Sequence, residues 1–171
     1  MQARRAPRIV RCCLRFIRKN VDRLKRFVTQ SVDETVSLGA KIAPLMKNGG
    51  VIAMFGGMGM GKTAFTHGLA QGLGIDSSLV SSPTFALVHE YGDQTKLFHF
   101  DMYRINTWDD LYSTGFFYYL ESGGLLAVEW SENIENALPD NAVKIYFEQG
   151  ENDNQRIITV CGGADFENLI D

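Results

Sequence analysis

The sequence predicts an α/β domain, and three observations predict it. Five consecutive apolar residues at 51–55 run into a glycine-rich loop and then a helical pattern. A second unbroken apolar run at 125–128 ends on Glu129, the pattern of a strand buried on both faces of a parallel sheet. Short strand patterns alternate with helical ones along the rest of the chain. A length of 171 residues suits one domain with one core, and 45% hydrophobic and 22% charged residues, with four Pro against 17 Gly, is an ordinary globular composition.

Each element has a local cause. Ser31 followed by Glu34 makes a capping box, and Val32, Val36, Leu38, Ile42 and Leu45 form an apolar stripe, so a helix is expected over 32–47, stopped by Asn48-Gly49-Gly50. The strand at 51–55 leads through the glycine-rich turn to a helix ending near Gly72. Strands are expected at 85–91 and 96–101, with Asp93 in the connection of a hairpin. Thr107 caps a short helix with Asp109 and Asp110 in its first turn, Gly115 ends it, and 116–120 is its apolar continuation. A helical turn at 134–138 is stopped by Pro139, and late strands are expected at 143–148 and 157–161.

Several classes are excluded. No apolar run approaches the roughly 18 residues of a spanning helix. Cys12, Cys13 and Cys161 have neither the number for a disulfide framework nor the spacing of a zinc site, which suits a reducing intracellular compartment.

The net charge of −3 conceals two unlike parts. Residues 1–27 hold ten of the 17 Lys and Arg against Asp22 alone, a charge of +9, while the remainder carries seven basic and 19 acidic residues, a charge of −12. Within the basic stretch Val10, Leu14, Ile17, Val21, Leu24 and Val28 recur at helical spacing. That stretch fits a transit peptide, a nucleic-acid-contacting arm or a solvated extension without a role. It lacks the apolar core of a secretory signal, since its longest apolar piece is only residues 12–14.

The chemistry concentrates in Gly56-Gly57-Met58-Gly59-Met60-Gly61-Lys62-Thr63, which satisfies the phosphate-loop pattern G-x-x-x-x-G-K-[ST] with a strand before it and a helix after it. Glycines let backbone N–H groups turn inward around phosphate oxygens, and the helix starting near Gly61 adds its positive end. Lys62 is placed to reach the β and γ phosphates, and the Thr63 hydroxyl to bind Mg²⁺. A second magnesium ligand is expected at the end of a buried strand. Two carboxylates qualify, Asp101 after Leu97-Phe98-His99-Phe100 and Glu129 after Leu125-Leu126-Ala127-Val128. His99 shares a strand face with Asp101 and can orient it; His67 and His89 have no ligand spacing. The aromatic run Phe116, Phe117, Tyr118 and Tyr119 reads as core rather than as a base-stacking platform.

No guanine-reading N-K-x-D or D-x-x-G switch occurs, which disfavours a GTPase. After residue 27 the only arginines are Arg104 and Arg156, too few for a kinase that clamps phosphates with several. Intrinsic hydrolysis is therefore expected to be slow, because a missing arginine finger costs about 10³ to 10⁵ in rate.

In this order the motifs resemble the TsaE (YjeE) family, ATPases of bacterial tRNA threonylcarbamoyladenosine biosynthesis. The resemblance is carried by the phosphate loop, then Ser82-Pro83-Thr84-Phe85 with Leu87-Val88, then His99-Phe100-Asp101-Met102-Tyr103-Arg104, then Glu129-Trp130, and it spans about residues 31–147. It implies a single P-loop NTPase domain with a mixed, mainly parallel sheet flanked by helices over 31–171, after a basic extension at 1–30. It also implies a cytoplasmic Mg-dependent ATPase acting with TsaB and TsaD, contacting tRNA indirectly and no membrane, with ATP and Mg²⁺ as its cofactors. Under it Lys62, Asp101 and Glu129 are catalytic, and Thr63 and Glu129 hold the metal. Gly57, Met58, Gly59, Met60, Gly61, Lys62, Thr63, Ala64, Thr84 and Trp130 surround the nucleotide, with Thr84 in a segment likened to a γ-phosphate switch. Gly57 and Met58 depart from the family's usual acidic and leucine pair, and Met60 stands where a small residue is usual. A small-molecule phosphotransferase and a nucleotide-binding switch without useful hydrolysis are the competing readings.

Overall fold

The structure is a computed structural model that describes residues 23–83, 86–94, 96–163 and 166. Seven strands form one sheet in the order β1-β7-β6-β2-β5-β4-β3. They are β1 (Arg23–Thr29), β2 (Gly50–Phe55), β3 (Val88–Tyr91), β4 (Leu97–Asp101), β5 (Leu125–Glu129), β6 (Val143–Gln149) and β7 (Arg156–Gly162). The four central strands, β6-β2-β5-β4, are mutually parallel, and antiparallel pairing of β3 with β4 and of β7 with β6 and β1 extends the sheet on both sides. Five of the seven strands thus run one way, a mixed and mainly parallel sheet.

Helices cover both faces, which is why β2, and β5 as far as Glu129, are apolar. On one face α1 (Val32–Ile42) and α2 (Lys62–Gly72) pack over Ile52, Met54 and Ala127; on the other, α3 (Trp108–Ser113) and α4 (Phe116–Glu121) pack over Ala53, Phe100 and Val128. Among the described residues no helix is long and apolar enough to cross a membrane.

Four elements differ from the local expectation. The strand expected over 85–91 begins only at Val88, because Leu87 turns through left-handed backbone (φ 67°). The other three also have physical reasons. The helix expected over 32–47 is α-helical only to Ile42, and Ala43–Met46 is a 3₁₀ turn, because Pro44 has no N–H for an α-helical bond. Gly115, at φ 73°, begins a separate helix α4 rather than letting α3 continue. Residues 23–29, where Leu24 and Val28 keep helical spacing, form β1 instead, paired along its length with β7. The sheet's first strand therefore lies inside the stretch assigned to the basic extension 1–30; the part of that stretch before Arg23 lies outside the described residues.

Both N-caps form, but the reciprocal box expected at Ser31 does not close, because Glu34 reaches the N–H one residue before the cap, whereas the cap at Thr107 is a full box. Ser31 accepts from the Glu34 N–H while Glu34 accepts from that of Gln30, and Thr107 with Asp110 makes the reciprocal pair at α3. Phe116 is fully buried and Tyr119 packs on Phe98 and Phe100, but Tyr118 is exposed.

The position of α2, and with it the phosphate loop, depends on a close crossing with α1. A Cβ on Gly68 would stand 2.0 Å from the Val36 carbonyl oxygen, and one on Gly39 would stand 2.3 Å from that of Phe65. Backbone on both sides cannot yield as a side chain would. Gly68→Ala is expected to cost about 1–3 kcal/mol, read as a melting temperature lower by roughly 2–12 °C. An unchanged melt would contradict the crossing.

Candidate functional site

At the carboxyl ends of the parallel strands, β2 gives way at Gly56 to the glycine loop, and α2 begins at Lys62. The loop turns through left-handed backbone at Gly59 (φ 74°) and Gly61 (φ 98°), conformations that favour glycine, and Gly61 is the N-cap of α2. The helix's unpaired N–H groups and positive end are thereby delivered to the loop.

Strand register assembles the rest. β4 and β5 are parallel neighbours that set Asp101 opposite Glu129, and β2 sets Met54 opposite Glu129 on the other side. By strand alternation His99, Asp101 and Glu129 share the α2 face of the sheet. The Thr63 hydroxyl donates to Glu129 Oε1 (2.7 Å), and His99 Nε2 donates to the same oxygen (2.9 Å). Asp101 Oδ1 accepts from the Tyr103 N–H (2.9 Å) and Oδ2 from the Ser82 hydroxyl (3.4 Å). The Lys62 amine donates to the carbonyls of Gly56 (2.6 Å) and Gly57 (2.8 Å), 4.2 Å from the centre of the Trp130 ring.

Lys62, Asp101 and Glu129 are all buried, and charges taken from water need partners. Burial draws the Lys62 amine below the ordinary lysine value, and the charges of Glu129, Glu132 and Asp101 oppose that only in part. Burial pushes the Glu129 carboxyl up, but the bond and charge of His99, the Thr63 hydroxyl and the Lys62 charge outweigh it, leaving the group below the ordinary carboxylate value. Glu129 is accordingly ionised and an acceptor only, which fixes the proton of each bond on Thr63 and His99.

Around these groups lies a cleft of about 400 Å³ lined by the loop from Met58 to Ala64, with Ser82, Asp101, Tyr103, Glu129 and Trp130. Trp130 has left-handed backbone (φ 59°), uncommon outside glycine, which turns the chain sharply after β5 and lays its ring on Tyr103, centroids 4.7 Å apart. The residues fit a nucleotide phosphate chain and a magnesium ion. The loop supplies N–H groups and an amine for anionic oxygens, and Thr63, whose proton goes to Glu129, keeps its oxygen lone pairs for a cation. Lys62 is the only cation among the described lining residues.

The sequence-expected residues thus come together, with exceptions. Thr84 lies outside the described residues; on either side of it the Leu87 N–H donates to the Pro83 carbonyl (2.8 Å), and Leu87 has φ 67°. Gly57 meets the site through its carbonyl to Lys62 and is not among the cleft-lining residues. Met58 is exposed at the loop tip, whereas Met60 is partly buried against the core. His99 bonds Glu129 on the neighbouring strand rather than Asp101 on its own.

Two contributors carry no readable sequence signal for their roles. Tyr103 braces Trp130 by its ring and Asp101 by its N–H. Arg156, on β7, donates to the Gly59 carbonyl (3.2 Å) and to those of Asp153 and Gln155, so it braces the loop from outside.

The family model described as Threonylcarbamoyl adenosine biosynthesis protein TsaE matches residues 29–158. The tRNA threonylcarbamoyladenosine biosynthesis protein TsaE of Bacillus subtilis is 35% identical over 144 residues, 84% of this chain and 89% of the relative. That of Treponema pallidum is 34% identical over 120 residues, 70% and 88% of the two chains. The crystal structure of Bacillus subtilis YdiB superposes with a TM-score of 0.67 at 31% identity, covering 86% of this chain and 92% of that one. Loop, paired strand-end carboxylates and the four central parallel strands stand within one continuous match, and the chain belongs to the TsaE family, with that family's part in tRNA threonylcarbamoyladenosine biosynthesis.

Proposed function

We propose that the chain is a cytoplasmic Mg-dependent ATPase that works with TsaB and TsaD in threonylcarbamoyladenosine modification of tRNA. Its cycle of ATP binding and hydrolysis resets the complex, and it performs no chemistry on a substrate of its own. The observation that carries this reading is the continuous path from Thr63 through Glu129 to His99, placed beside the phosphate loop with Asp101 in register opposite. Lys62 would hold the β and γ phosphates, Thr63 and Glu129 would hold the magnesium, Asp101 would be the further catalytic carboxylate, and Trp130 would pack beside the nucleotide. The magnesium supplies charge neutralisation of the phosphate oxygens when bound. Thr84 keeps the γ-phosphate-sensing role that the family resemblance implies.

The scarcity of cations supports dependence on partners. With Lys62 alone among the described lining residues, little among the described residues of the cleft offsets charge spreading over a transferring phosphoryl group. Partner proteins that complete or reorganise the cleft fit that deficit, and tRNA then meets this subunit only through them.

The test is reconstituted modification with TsaB, TsaD, a tRNA and a threonylcarbamoyl donor. Sustained formation of modified tRNA, beyond one per complex, is expected only with this chain, ATP and magnesium. Equal yield without the chain, or with a nonhydrolysable ATP analogue, would overturn the resetting role. An ATP-dependent phosphorylated small molecule would favour a phosphotransferase instead.

A further inference from the structure

We infer that His99 is a positioning residue for the metal-linked carboxylate: through Nε2 it fixes Glu129 by one oxygen, so that cation binding depends on it while binding of the metal-free nucleotide does not. The inference rests on the reading of Glu129 as a magnesium ligand and goes beyond it by adding a residue outside the cleft.

His99 is completely buried in β4, every residue of which is buried. Packing alone calls for an apolar side chain there, and Phe98 and Phe100 stand on either side of it. The imidazole is moreover only half satisfied, since Nδ1 has no hydrogen-bond partner among the described residues. A buried polar atom left unpaired opposes folding, so the ring is not explained by stability at its own position. Its one hydrogen bond, the 2.9 Å contact of Nε2 with Glu129, is what an apolar residue cannot supply.

The geometry of that bond is selective. Thr63 and His99 both donate to Oε1 of Glu129, and Oε2 accepts no hydrogen bond from the described residues. One oxygen is thus held by two donors and the other is left for water or a cation. His99 reaches Glu129 diagonally across β4 and β5, its own register partner being Ala127, so the small residue beside it leaves room for the ring. A donor that fixes the rotation of a carboxylate acts on a metal as outer-shell partners generally do, and their loss costs about 10- to 100-fold in metal affinity or activity.

The experiment titrates a fluorescent ATP analogue onto the full chain without divalent ions, then titrates Mg²⁺, and repeats this with Mn²⁺ followed by electron paramagnetic resonance. The variants are His99→Leu, His99→Asn and His99→Gln. Gln can place an amide N–H near the position of Nε2, whereas Asn is too short to reach Oε1. Expected is a half-saturating Mg²⁺ concentration raised about tenfold or more in the Leu and Asn variants, with metal-free nucleotide affinity unchanged and with Gln restoring most of the loss. The Asn and Gln pair keeps the test decisive where Leu fails to fold. Unaltered Mg²⁺ and Mn²⁺ titration in Leu or Asn would overturn the inference, as would a Gln variant as defective as Asn. Wild-type chain that binds nucleotide with no response to either cation would instead overturn the metal reading of Glu129, and the inference with it.

Discussion

Lys62→Ala is expected to lower nucleotide affinity by at least about 100-fold, the equivalent of roughly 3 kcal/mol from lost charge-assisted bonds. Lys62 is the loop's one side-chain cation, it is buried, and its amine is already held at the mouth of the loop by the carbonyls of Gly56 and Gly57. Burial weakens its hold on its proton and the neighbouring carboxylates offset this only in part, so an arriving phosphate further stabilises the charged amine. Equilibrium titration with a fluorescent ATP analogue measures the effect. Because Lys62 lies under the Trp130 ring, intrinsic fluorescence should report the same binding in the unmodified chain. Unchanged affinity in the alanine variant would refute the assignment of the loop to phosphate.

Glu129→Ala should separate binding from turnover. The phosphate cradle is made by the loop and α2, so nucleotide affinity is expected to stay within a few-fold, while magnesium-dependent hydrolysis falls by about 10² to 10³, the scale of a lost metal contribution of several kcal/mol. Alanine also strands the Thr63 hydroxyl and His99 Nε2, both of which donate to Oε1. Glu129→Gln, which retains an acceptor without the charge, checks that the loss follows charge rather than packing. Full hydrolysis in both variants would move the metal role to Asp101, which stands in register across β4 and β5.

What could be read from the sequence was what short stretches decide. The loop, its flanking strand and helix, and the caps at Ser31 and Thr107 are set by residues within a few positions of one another. Strand β1 was not legible because Leu24 and Val28, four apart, satisfy the helical and the alternating period alike. Pairing with β7, more than a hundred residues later, decides between them. The same distinction governs the site. Alternation along β4 puts His99 on one face with Asp101, but its partner is chosen by which strand lies alongside, and the neighbour is β5 with Glu129. Arg156 reaches Gly59 only because β7 returns beside β6, and Tyr103 meets Trp130 only because the chain turns sharply after β5. Contacts of this kind have no signature in local pattern.

The central claim is that ATP turnover at this site is coupled to a tRNA-modifying assembly. Its most direct test is magnesium-dependent ATP hydrolysis by the purified chain, alone and with TsaB and TsaD added. The account predicts slow turnover by the chain alone, a changed rate when the pair is present, and loss of both rates in Lys62→Ala. Hydrolysis that is indifferent to TsaB and TsaD at saturating concentration would contradict it.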